Sequence, residues 1–134
     1  MNATDSAHLL VVDDDARLRG LLHRFLTAQG FRVTTAADAA EARALIKSID
    51  FDCLILDVMM PGENGYRVAH QLREDEAAGR IQRRPRIILL TARDLRSEPE
   101  REQTFMEFSQ ADLMLYKPFD LEELTQRIRE LLSA

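Results

Sequence analysis

The sequence lacks the features that would suggest a secreted or membrane-bound protein. It has one cysteine, Cys53, so no disulfide can form within the chain. Its apolar runs end after about five residues, whereas a membrane-spanning helix needs about 20. The first eight residues, "MNATDSAH", contain neither a basic region nor an apolar stretch, so they predict no secretion signal. These absences favour a globular domain in the reducing cytoplasm.

The sequence also lacks an excess of basic residues. Eighteen Lys and Arg stand against 23 Asp and Glu, which gives a net charge of -5. Nucleic-acid binding by electrostatic attraction is therefore not expected, and any DNA contact would need a separate effector domain. One basic segment, 80–86 "RIQRRPR", is interpreted as a solvated loop. No linker or internal repeat divides the 134 residues, so residues 1–134 are predicted to form a single domain.

Five short apolar runs alternate with helical patterns along the chain. Four of the runs are apolar without alternation, which is typical of strands covered on both faces. Between the runs, large apolar residues recur at spacings of three and four, as on one face of a helix. This order predicts an α/β domain, a doubly wound five-stranded parallel sheet flanked by five helices. The predicted strands are 9–12 "LLVV", 31–35 "FRVTT", 53–56 "CLIL", 87–90 "IILL" and 113–116 "LMLY".

Local signals indicate where several helices begin and end. Gly30 is placed to end the first helix. Asp38 and Glu41 have the spacing of a capping box at the start of the second helix. Ser97 and Glu100 repeat that spacing before the fourth helix and predict a second capping box there.

Polar residues follow four of the five predicted strands. In open parallel sheets, binding sites form beyond the carboxyl ends of the strands. A single strand-end aspartate is more often a turn former or a helix cap, but four polar strand ends at one edge predict a functional site. These residues are Asp13, Asp14 and Asp15 after the first strand, Asp57 after the third, Thr91 after the fourth and Lys117 after the fifth.

The three consecutive aspartates need a compensating charge. Two carboxylates about 4 Å apart repel by about 4 kcal/mol at an effective dielectric constant of about 20. Carboxylate oxygens suit Mg²⁺, which keeps several waters and leaves room for a phosphoryl oxygen, whereas zinc would favour nearby His or Cys. Lys117 offers a second positive charge, and Thr91 offers a hydroxyl donor. Together these residues predict a pocket for a phosphoryl group.

Four motifs at these strand ends resemble the receiver domain of two-component response regulators, which has the CheY-like, flavodoxin-like fold. The resemblance spans essentially the whole chain, and the run 9–30, "LLVVDDDARLRGLLHRFLTAQG", is most similar to the OmpR/PhoB branch. It implies phosphorylation by a sensor histidine kinase with Mg²⁺ and an output that controls transcription. The motifs are "VVDDD" at 11–15, "LDVMMPGENG" at 56–65, "LTA" at 90–92 and "KPF" at 117–119.

The resemblance implies a nucleophile and a set of metal ligands. Asp57 is implied to accept the phosphoryl group from a phosphohistidine of the kinase. Asp14 and Asp57 are implied to bind Mg²⁺ directly, Asp13 through a coordinated water, and Met59 through its backbone carbonyl. Asp15 lies outside this set and is interpreted as the residue that opens the first helix. The domain would then catalyse only its own phosphorylation and dephosphorylation, not a reaction of another substrate.

The remaining site residues are implied to hold the transferred oxygens. This role falls to Lys117, Thr91 and the backbone amide of Ala92, so that catalysis consists mainly of positioning and charge neutralisation. The peptide bond between Lys117 and Pro118 is expected to be cis, as is common in this family. The turn residues of 61–65, "PGENG", are expected to let the chain pass close to the metal.

Phosphorylation is implied to move Thr91 and to rearrange the fourth helix, the fifth strand and the fifth helix. The family usually has Tyr or Phe three residues before the active-site lysine, but this chain has Met114 there. Tyr116 shares a strand face with Met114, so we hypothesise that Tyr116 partly replaces the missing aromatic. In the alternative interpretation, Tyr116 only packs under the fifth helix.

The region 97–134 is expected to form a homodimer interface favoured by phosphorylation. Asp112, Glu123 and Arg127 match charged positions that pair across dimers in the OmpR/PhoB branch. The segment 97–111 departs from the family, so partners for these residues on the fourth helix are not identified.

Three other functions fit parts of the pattern. A small-molecule aspartyl phosphotransferase of the haloacid-dehalogenase type would want an acid two residues after its nucleophile, where this chain has Met59. A flavodoxin would have a loop rich in Ser, Thr and Gly at 13–15. A receiver-like interaction module without phosphorylation stays open because of Met114 and the unusual 97–111 segment. The chain fits either a stand-alone regulator or part of a longer transcription factor, and the OmpR-like 9–30 run favours the second.

Overall fold

A computed structural model describes residues 7–81 and 83–133 of the chain. The N-terminal interpretation of "MNATDSAH" therefore lies largely outside the described residues, as does Gln82 of the basic segment. Within the described ranges, no helix combines the length and the apolar character that a membrane crossing requires. Strands and helices alternate in the order β1 (His8–Val12), α1 (Ala16–Ala28), β2 (Arg32–Ala36), α2 (Ala39–Ser48), β3 (Cys53–Asp57), α3 (Gly65–Ala77), β4 (Arg86–Thr91), α4 (Pro99–Ser109), β5 (Leu113–Tyr116) and α5 (Leu121–Ser133).

The five strands form one parallel sheet with the order β2-β1-β3-β4-β5. The predicted doubly wound α/β fold is therefore confirmed. Strand order reverses between β1 and β3. From β1 the chain passes to β2 at one edge, and it then crosses to β3 on the opposite side of β1. Val12 pairs with Leu56 in the parallel register, so Asp13 and Asp57 follow at adjacent strand ends. Binding sites of open parallel sheets form at such a switch point.

The core consists of two apolar clusters, one on each face of the sheet. Successive strand residues point to opposite faces, so Leu10 packs with α2 and α3 while its neighbours Leu9 and Val11 pack with α1 and α5. Both clusters contain fully buried residues from β1, β3 and β4. This double coverage explains why the predicted strands read as unbroken apolar runs.

Two of the predicted helix signals are confirmed by capping contacts. Asp15 is the N-cap of α1 and accepts a hydrogen bond from the amide of Arg17 at 2.9 Å. Asp38 caps α2 by accepting from the amide of Glu41 at 2.8 Å. Gly30 follows the C-cap of α1 with a φ of 102°, a left-handed conformation that glycine adopts without steric cost.

The predicted capping box at the start of α4 is wrong. The N-cap position is Glu98, which makes no side-chain capping bond, and Ser97 lies one residue too early. Pro99 is instead the first helical residue. Its fixed φ suits a helix start, and its missing N–H is a group that the first turn would leave unpaired in any case.

The basic segment 80–86 has mostly exposed arginines, as expected for a solvated loop, and these arginines also form ion pairs. Each of its four arginines contacts a carboxylate elsewhere in the domain. Two of the pairs are with α3, and the other two are with the residues directly before β3 and β5. Exposed pairs of this kind contribute little individually. The pairs are Arg80 with Asp75 at 2.9 Å, Arg83 with Asp52, Arg84 with Glu76 at 3.2 Å, and Arg86 with Asp112 at 3.4 Å.

Candidate functional site

Three aspartates converge at the switch point of the sheet. Asp13, Asp14 and Asp57 each offer a carboxylate oxygen, and these oxygens lie within 4.8 Å of one another. Asp13 is fully buried and Asp57 is 3% exposed, whereas Asp14 faces solvent. Three hard oxygen donors that share one open side suit a divalent cation such as Mg²⁺, with room left for water and a phosphoryl oxygen.

The side chain of Lys117 enters this cluster from the end of β5. Its ammonium donates to Oδ2 of Asp13 at 3.0 Å and to Oδ1 of Asp57 at 3.3 Å. The backbone amide of Lys117 donates to the carbonyl of Thr91 at 2.8 Å, which fixes the start of its loop. The peptide bond to Pro118 is cis, as expected. The ammonium thus contacts two of the three carboxylates, and its single formal charge is smaller than theirs.

Burial and the neighbouring charges shift the pKa values of Asp57 and Lys117. Burial and the neighbouring Asp13 raise the pKa of Asp57 to about 6, although Lys117 and the amide of Met59 act in the opposite direction. Burial by itself lowers the pKa of Lys117, but its contacts with Asp13 and Asp57 outweigh that effect and raise it. The charged form of Asp57 is thus disfavoured without a further cation, which is the condition that a bound divalent ion would relieve.

The loop that carries the first two aspartates is held by several hydrogen bonds. The amide of Asp13 donates to the carbonyl of Ala36 at 3.2 Å, and the amide of Asp15 donates to Oδ1 of Asp13 at 2.9 Å. The guanidinium of Arg19 donates to the backbone carbonyl of Asp13 at 2.7 Å. Sequence reasoning missed Arg19. Its only signal is a basic side chain in the first helical turn after the aspartates.

Gly65 lies directly against the backbone of Asp57. A Cβ on residue 65 would stand 2.5 Å from the carbonyl oxygen of Asp57, closer than real Cβ contacts allow. The amide of Gly65 donates to the carbonyl of Val58 at 3.0 Å, and Asn64 caps the helix that starts here. Glycine at position 65 permits this close approach to Asp57. The expected passage of the 61–65 turn close to a metal stays a prediction.

The other predicted site residues lie around the rim. Thr91 is buried, and its hydroxyl accepts from the amide of Arg93 at 3.1 Å. Ala92 is exposed beside it. Met59 is 60% exposed, and its amide donates to Oδ1 of Asp57 at 3.3 Å. The roles predicted for the Met59 carbonyl and the Ala92 amide concern a bound ligand and stay predictions.

Tyr116 faces α4 and not α5, so the interpretation that it packs under the fifth helix is wrong. Its phenol donates to the carboxylate of Glu102 in α4. The guanidinium of Arg96 lies over its ring at 5.1 Å from the centroid. Met114, two residues earlier, packs against the core cluster of the same sheet face. The hydroxyl of Tyr116 thus links the end of β5 to α4.

Helix α4 is attached to α3 through aromatic contacts. The rings of Tyr66 and Phe105 stack with centroids 4.5 Å apart, and those of His70 and Phe108 stack at 4.3 Å. Ser109 is its only fully buried residue. Elements with few buried residues belong to the less stable part of a domain, so α4 can rearrange at a low cost in free energy.

Asp112 is engaged within its own chain. Its carboxylate accepts from the amide of Ile87 at 2.8 Å and pairs with the buried Arg73 at 3.2 Å. Glu123 is exposed and Arg127 is half-buried on α5. Of the three charged positions matched to cross-dimer pairs, Asp112 thus has its contacts within the monomer.

Comparisons with known proteins agree on one family. The model of the response regulator receiver domain matches residues 9–129. The protein PetR of Rhodobacter capsulatus is 43% identical over 132 residues, which cover 98% of this chain and 51% of PetR. The transcriptional regulatory protein ResD of Bacillus subtilis is 36% identical over 132 residues, which cover 98% of this chain and 50% of ResD. The chain therefore spans about half the length of these relatives.

A solved structure supports the same assignment. The response regulator protein TrrA of Thermotoga maritima, in complex with Mg²⁺ and BeF, superposes with a TM-score of 0.76 at 32% identity. The match covers 93% of this chain and 98% of TrrA.

Proposed function

The chain belongs to the response regulator receiver domain family, and from this we propose that a sensor histidine kinase phosphorylates it on Asp57. The resemblance to the OmpR/PhoB branch is confirmed as well. The observation that carries the proposal is the convergence of Asp13, Asp14 and Asp57 within 4.8 Å at the switch point, with Lys117 in contact with two of them. We further propose that residues 1–134 form a single receiver domain.

Asp57 is the nucleophile in this proposal. One of its carboxylate oxygens attacks phosphorus, the new O–P bond forms as the P–N bond of the phosphohistidine breaks, and the imidazole leaves. Lys117 supplies positive charge next to the attacking carboxylate. Thr91 and the amide of Ala92 donate hydrogen bonds to the transferred oxygens. The domain catalyses only its own phosphorylation and dephosphorylation.

Mg²⁺ is the proposed cofactor. Asp14 and Asp57 would hold it directly, Asp13 through a water, and Met59 through its carbonyl. When bound, the ion neutralises the carboxylates and the transferred phosphoryl group. The support for this ligand set is the group of three carboxylate donors and the raised pKa of Asp57. TrrA, which shares the fold, is described with Mg²⁺ bound.

The proposed switch runs from Thr91 to α4. The Thr91 hydroxyl accepts from the amide of Arg93, and its own O–H stays available to donate to a phosphoryl group on Asp57 once Thr91 is drawn toward it. Thr91 pairs with Tyr116 in the sheet, and Tyr116 donates to Glu102 of α4. A shift of Thr91 is therefore passed to α4 through Tyr116, which takes over the role of the aromatic that Met114 replaces.

The output proposed for the switched domain is control of transcription through an effector domain that contacts DNA. The support is that the relative ResD is a transcriptional regulatory protein of about twice this length. We propose a cytoplasmic location and a homodimer through the 97–134 face, favoured by phosphorylation. Glu123 and Arg127 remain accessible on this face, whereas Asp112 is bound internally.

The test is phosphorylation by a small donor. The protein is incubated with acetyl phosphate and Mg²⁺, and intact mass is measured for the gain of one phosphoryl group. We expect the gain in the parent protein and in Asp15→Asn, a matched control that changes a neighbouring carboxylate outside the site. Asp57→Ala and a sample with EDTA should show none. A parent protein that gains no mass would contradict the proposal and favour an interaction module without phosphorylation.

A further inference from the structure

Arg19 connects the first helix to the aspartate loop. It lies in the first turn of α1, and its Nη1 donates to the backbone carbonyl of Asp13 at 2.7 Å. The side chain thus points back along the helix toward the end of β1. A hydrogen bond from a guanidinium is charge-assisted and is stronger than one between neutral groups.

The partners of Asp13 divide between its backbone and its carboxylate. The backbone is held by Ala36 at the amide and by Arg19 at the carbonyl. The carboxylate accepts from Lys117 and from the amide of Asp15. Both backbone contacts come from outside the aspartate loop, so they fix where the loop leaves the sheet.

Asp14 depends on this anchoring more than its neighbours do. Within residues 7–81 and 83–133 it forms no ion pair, and its side chain is exposed. Its carboxylate nevertheless stands within 4.8 Å of those of Asp13 and Asp57, where like charges repel. What keeps it there is the backbone on either side, which is fixed at Asp13 and, through the Oδ1 contact, at Asp15.

We propose that Arg19 is a positioning residue of the phosphoacceptor site. By holding the Asp13 carbonyl, it keeps Asp13 and Asp14 directed at Asp57 and so prearranges the carboxylates for a divalent cation. Without the Arg19 contact, repulsion between the carboxylates would move the loop away from Asp57. Part of the binding free energy of the cation would then be used to restore the arrangement, and the affinity for the cation would fall. This inference rests on the proposed function, since it concerns the same site.

The test measures cation binding directly. Isothermal titration of the unphosphorylated protein with Mg²⁺, and with Mn²⁺ as a second probe, gives the dissociation constant. We expect Arg19→Gln to weaken binding by about tenfold, the lower end of the range for residues that support metal ligands. Arg19→Lys keeps a positive donor and should recover most of the affinity. Arg17→Gln alters an exposed arginine of the same helical turn and should bind as the parent does.

A second measurement separates positioning from a general effect on folding. In phosphorylation by acetyl phosphate, Arg19→Gln should raise the Mg²⁺ concentration for half-maximal rate and leave the rate at saturating Mg²⁺ within about twofold. A variant that is only less stable would not combine a raised Mg²⁺ requirement with an unchanged maximal rate. The assay is therefore run well below the unfolding temperature that each variant shows in EDTA. If Arg19→Gln does not fold, Arg19→Met takes its place, because it keeps the apolar stem and removes the donor.

The outcomes distinguish the two proposals. If the parent protein neither binds Mg²⁺ nor becomes phosphorylated, the proposed function fails. If the parent does both, and Arg19→Gln, or Arg19→Met in its place, binds Mg²⁺ as tightly as the parent, the role of Arg19 fails alone. Equal weakening in Arg17→Gln would also overturn it, since the effect would then reflect the net charge of the helix.

Discussion

The ammonium of Lys117 lies 3.3 Å from a carboxylate oxygen of Asp57, although 60 residues separate the two in sequence. Lys117 follows β5, at the edge of the sheet, whereas Asp57 ends the central strand β3. The lysine therefore reaches across the end of β4 to balance charge at the switch point. Several measurable properties of the domain depend on this contact.

Removal of the lysine charge should destabilise the cation-free protein. Lys117→Gln leaves the buried Asp13 and Asp57 beside each other without a cation. Because the ammonium is only partly buried, we expect a loss of about 1–3 kcal/mol, the cost of leaving a buried polar group without its partner. Urea unfolding in EDTA at neutral pH measures the loss. Lys47→Gln, at the other lysine of the chain, is exposed and should change stability by less than about 0.5 kcal/mol. Equal stability of the two variants would contradict the charge balance described above.

Asp57→Asn should have the opposite effect, with a defined pH dependence. In the cation-free protein, burial and the neighbouring Asp13 raise the pKa of Asp57 from its ordinary value of 3.8 to about 6. The folded state then binds the proton more tightly than the unfolded state, so stability falls as pH rises between these values and stays low above them. Asp57→Asn removes this loss and should be more stable above pH 7 by up to about 3 kcal/mol.

The check on this prediction is a series of unfolding curves in EDTA from pH 4 to pH 8. The advantage of Asp57→Asn should be small near pH 4 and should grow with pH. Added Mg²⁺ should stabilise the parent more than the variant, because binding to the folded state raises stability. An advantage that shrinks with increasing pH would show that the carboxylate is not destabilised by its surroundings.

Gly65→Ala should disturb both folding and the site. The added Cβ would overlap the Asp57 carbonyl, and backbone atoms there cannot move aside without shifting Asp57. Overpacking of this kind costs about 1–3 kcal/mol. Gly20→Ala is the matched control, since its Cβ would meet only the flexible end of Arg24 and alanine favours the helix interior. Thermal unfolding together with Mg²⁺ titration tests this, and unimpaired Mg²⁺ binding by folded Gly65→Ala would contradict the predicted shift of Asp57.

Two changes at Tyr116 test the route to α4. Tyr116→Phe removes the hydrogen bond to Glu102 but keeps the ring under Arg96, whereas Tyr116→Ala removes both. We expect Tyr116→Phe to increase amide hydrogen exchange in α4 of the unphosphorylated protein. Tyr116→Ala should reduce the difference in exchange over 97–117 produced by a phosphoryl mimic such as beryllofluoride. A difference that persists unchanged in Tyr116→Ala would remove Tyr116 from the switch.

The dimer proposal is tested by sedimentation. With Mg²⁺ and beryllofluoride, the protein should sediment as a dimer at concentrations where the untreated protein is a monomer. Arg127→Glu should abolish this shift, because it reverses a charge on the proposed face. Asp112→Asn should instead lower monomer stability, since this carboxylate binds Arg73 and the amide of Ile87. A protein that is monomeric in both states would contradict the proposed interface.

The sequence predicted the fold well because the determining signals are local. Unbroken apolar runs predict strands covered on both faces, and the polar residues that follow them must meet at one edge of a parallel sheet. The meeting of Asp13, Asp57 and Lys117 follows from that topology, without any knowledge of side-chain conformations.

Features that depend on contacts between distant segments were predicted poorly. Nothing within β5 indicates which helix covers the face that carries Tyr116, because that depends on how β5 pairs with β4. The ion pairs of the 80–86 arginines join parts of the chain that become neighbours only in the folded domain. Arg19 escaped notice for a related reason, since its partner is a backbone carbonyl, which has no signature in the sequence.

Through Lys117, the docking of the edge strand β5 is thermodynamically coupled to the arrangement of the aspartates at the centre of the sheet. Among the described strands, β5 pairs with β4 alone, yet the lysine that follows it contacts Asp13 after β1 and Asp57 of β3. A ligand or modification that moves Asp13 or Asp57 away from the Lys117 ammonium removes a contact that holds β5 in the sheet. A partner that stabilises the docked position of β5 must in turn stabilise the contact of Asp13 and Asp57 with Lys117 by the same free energy.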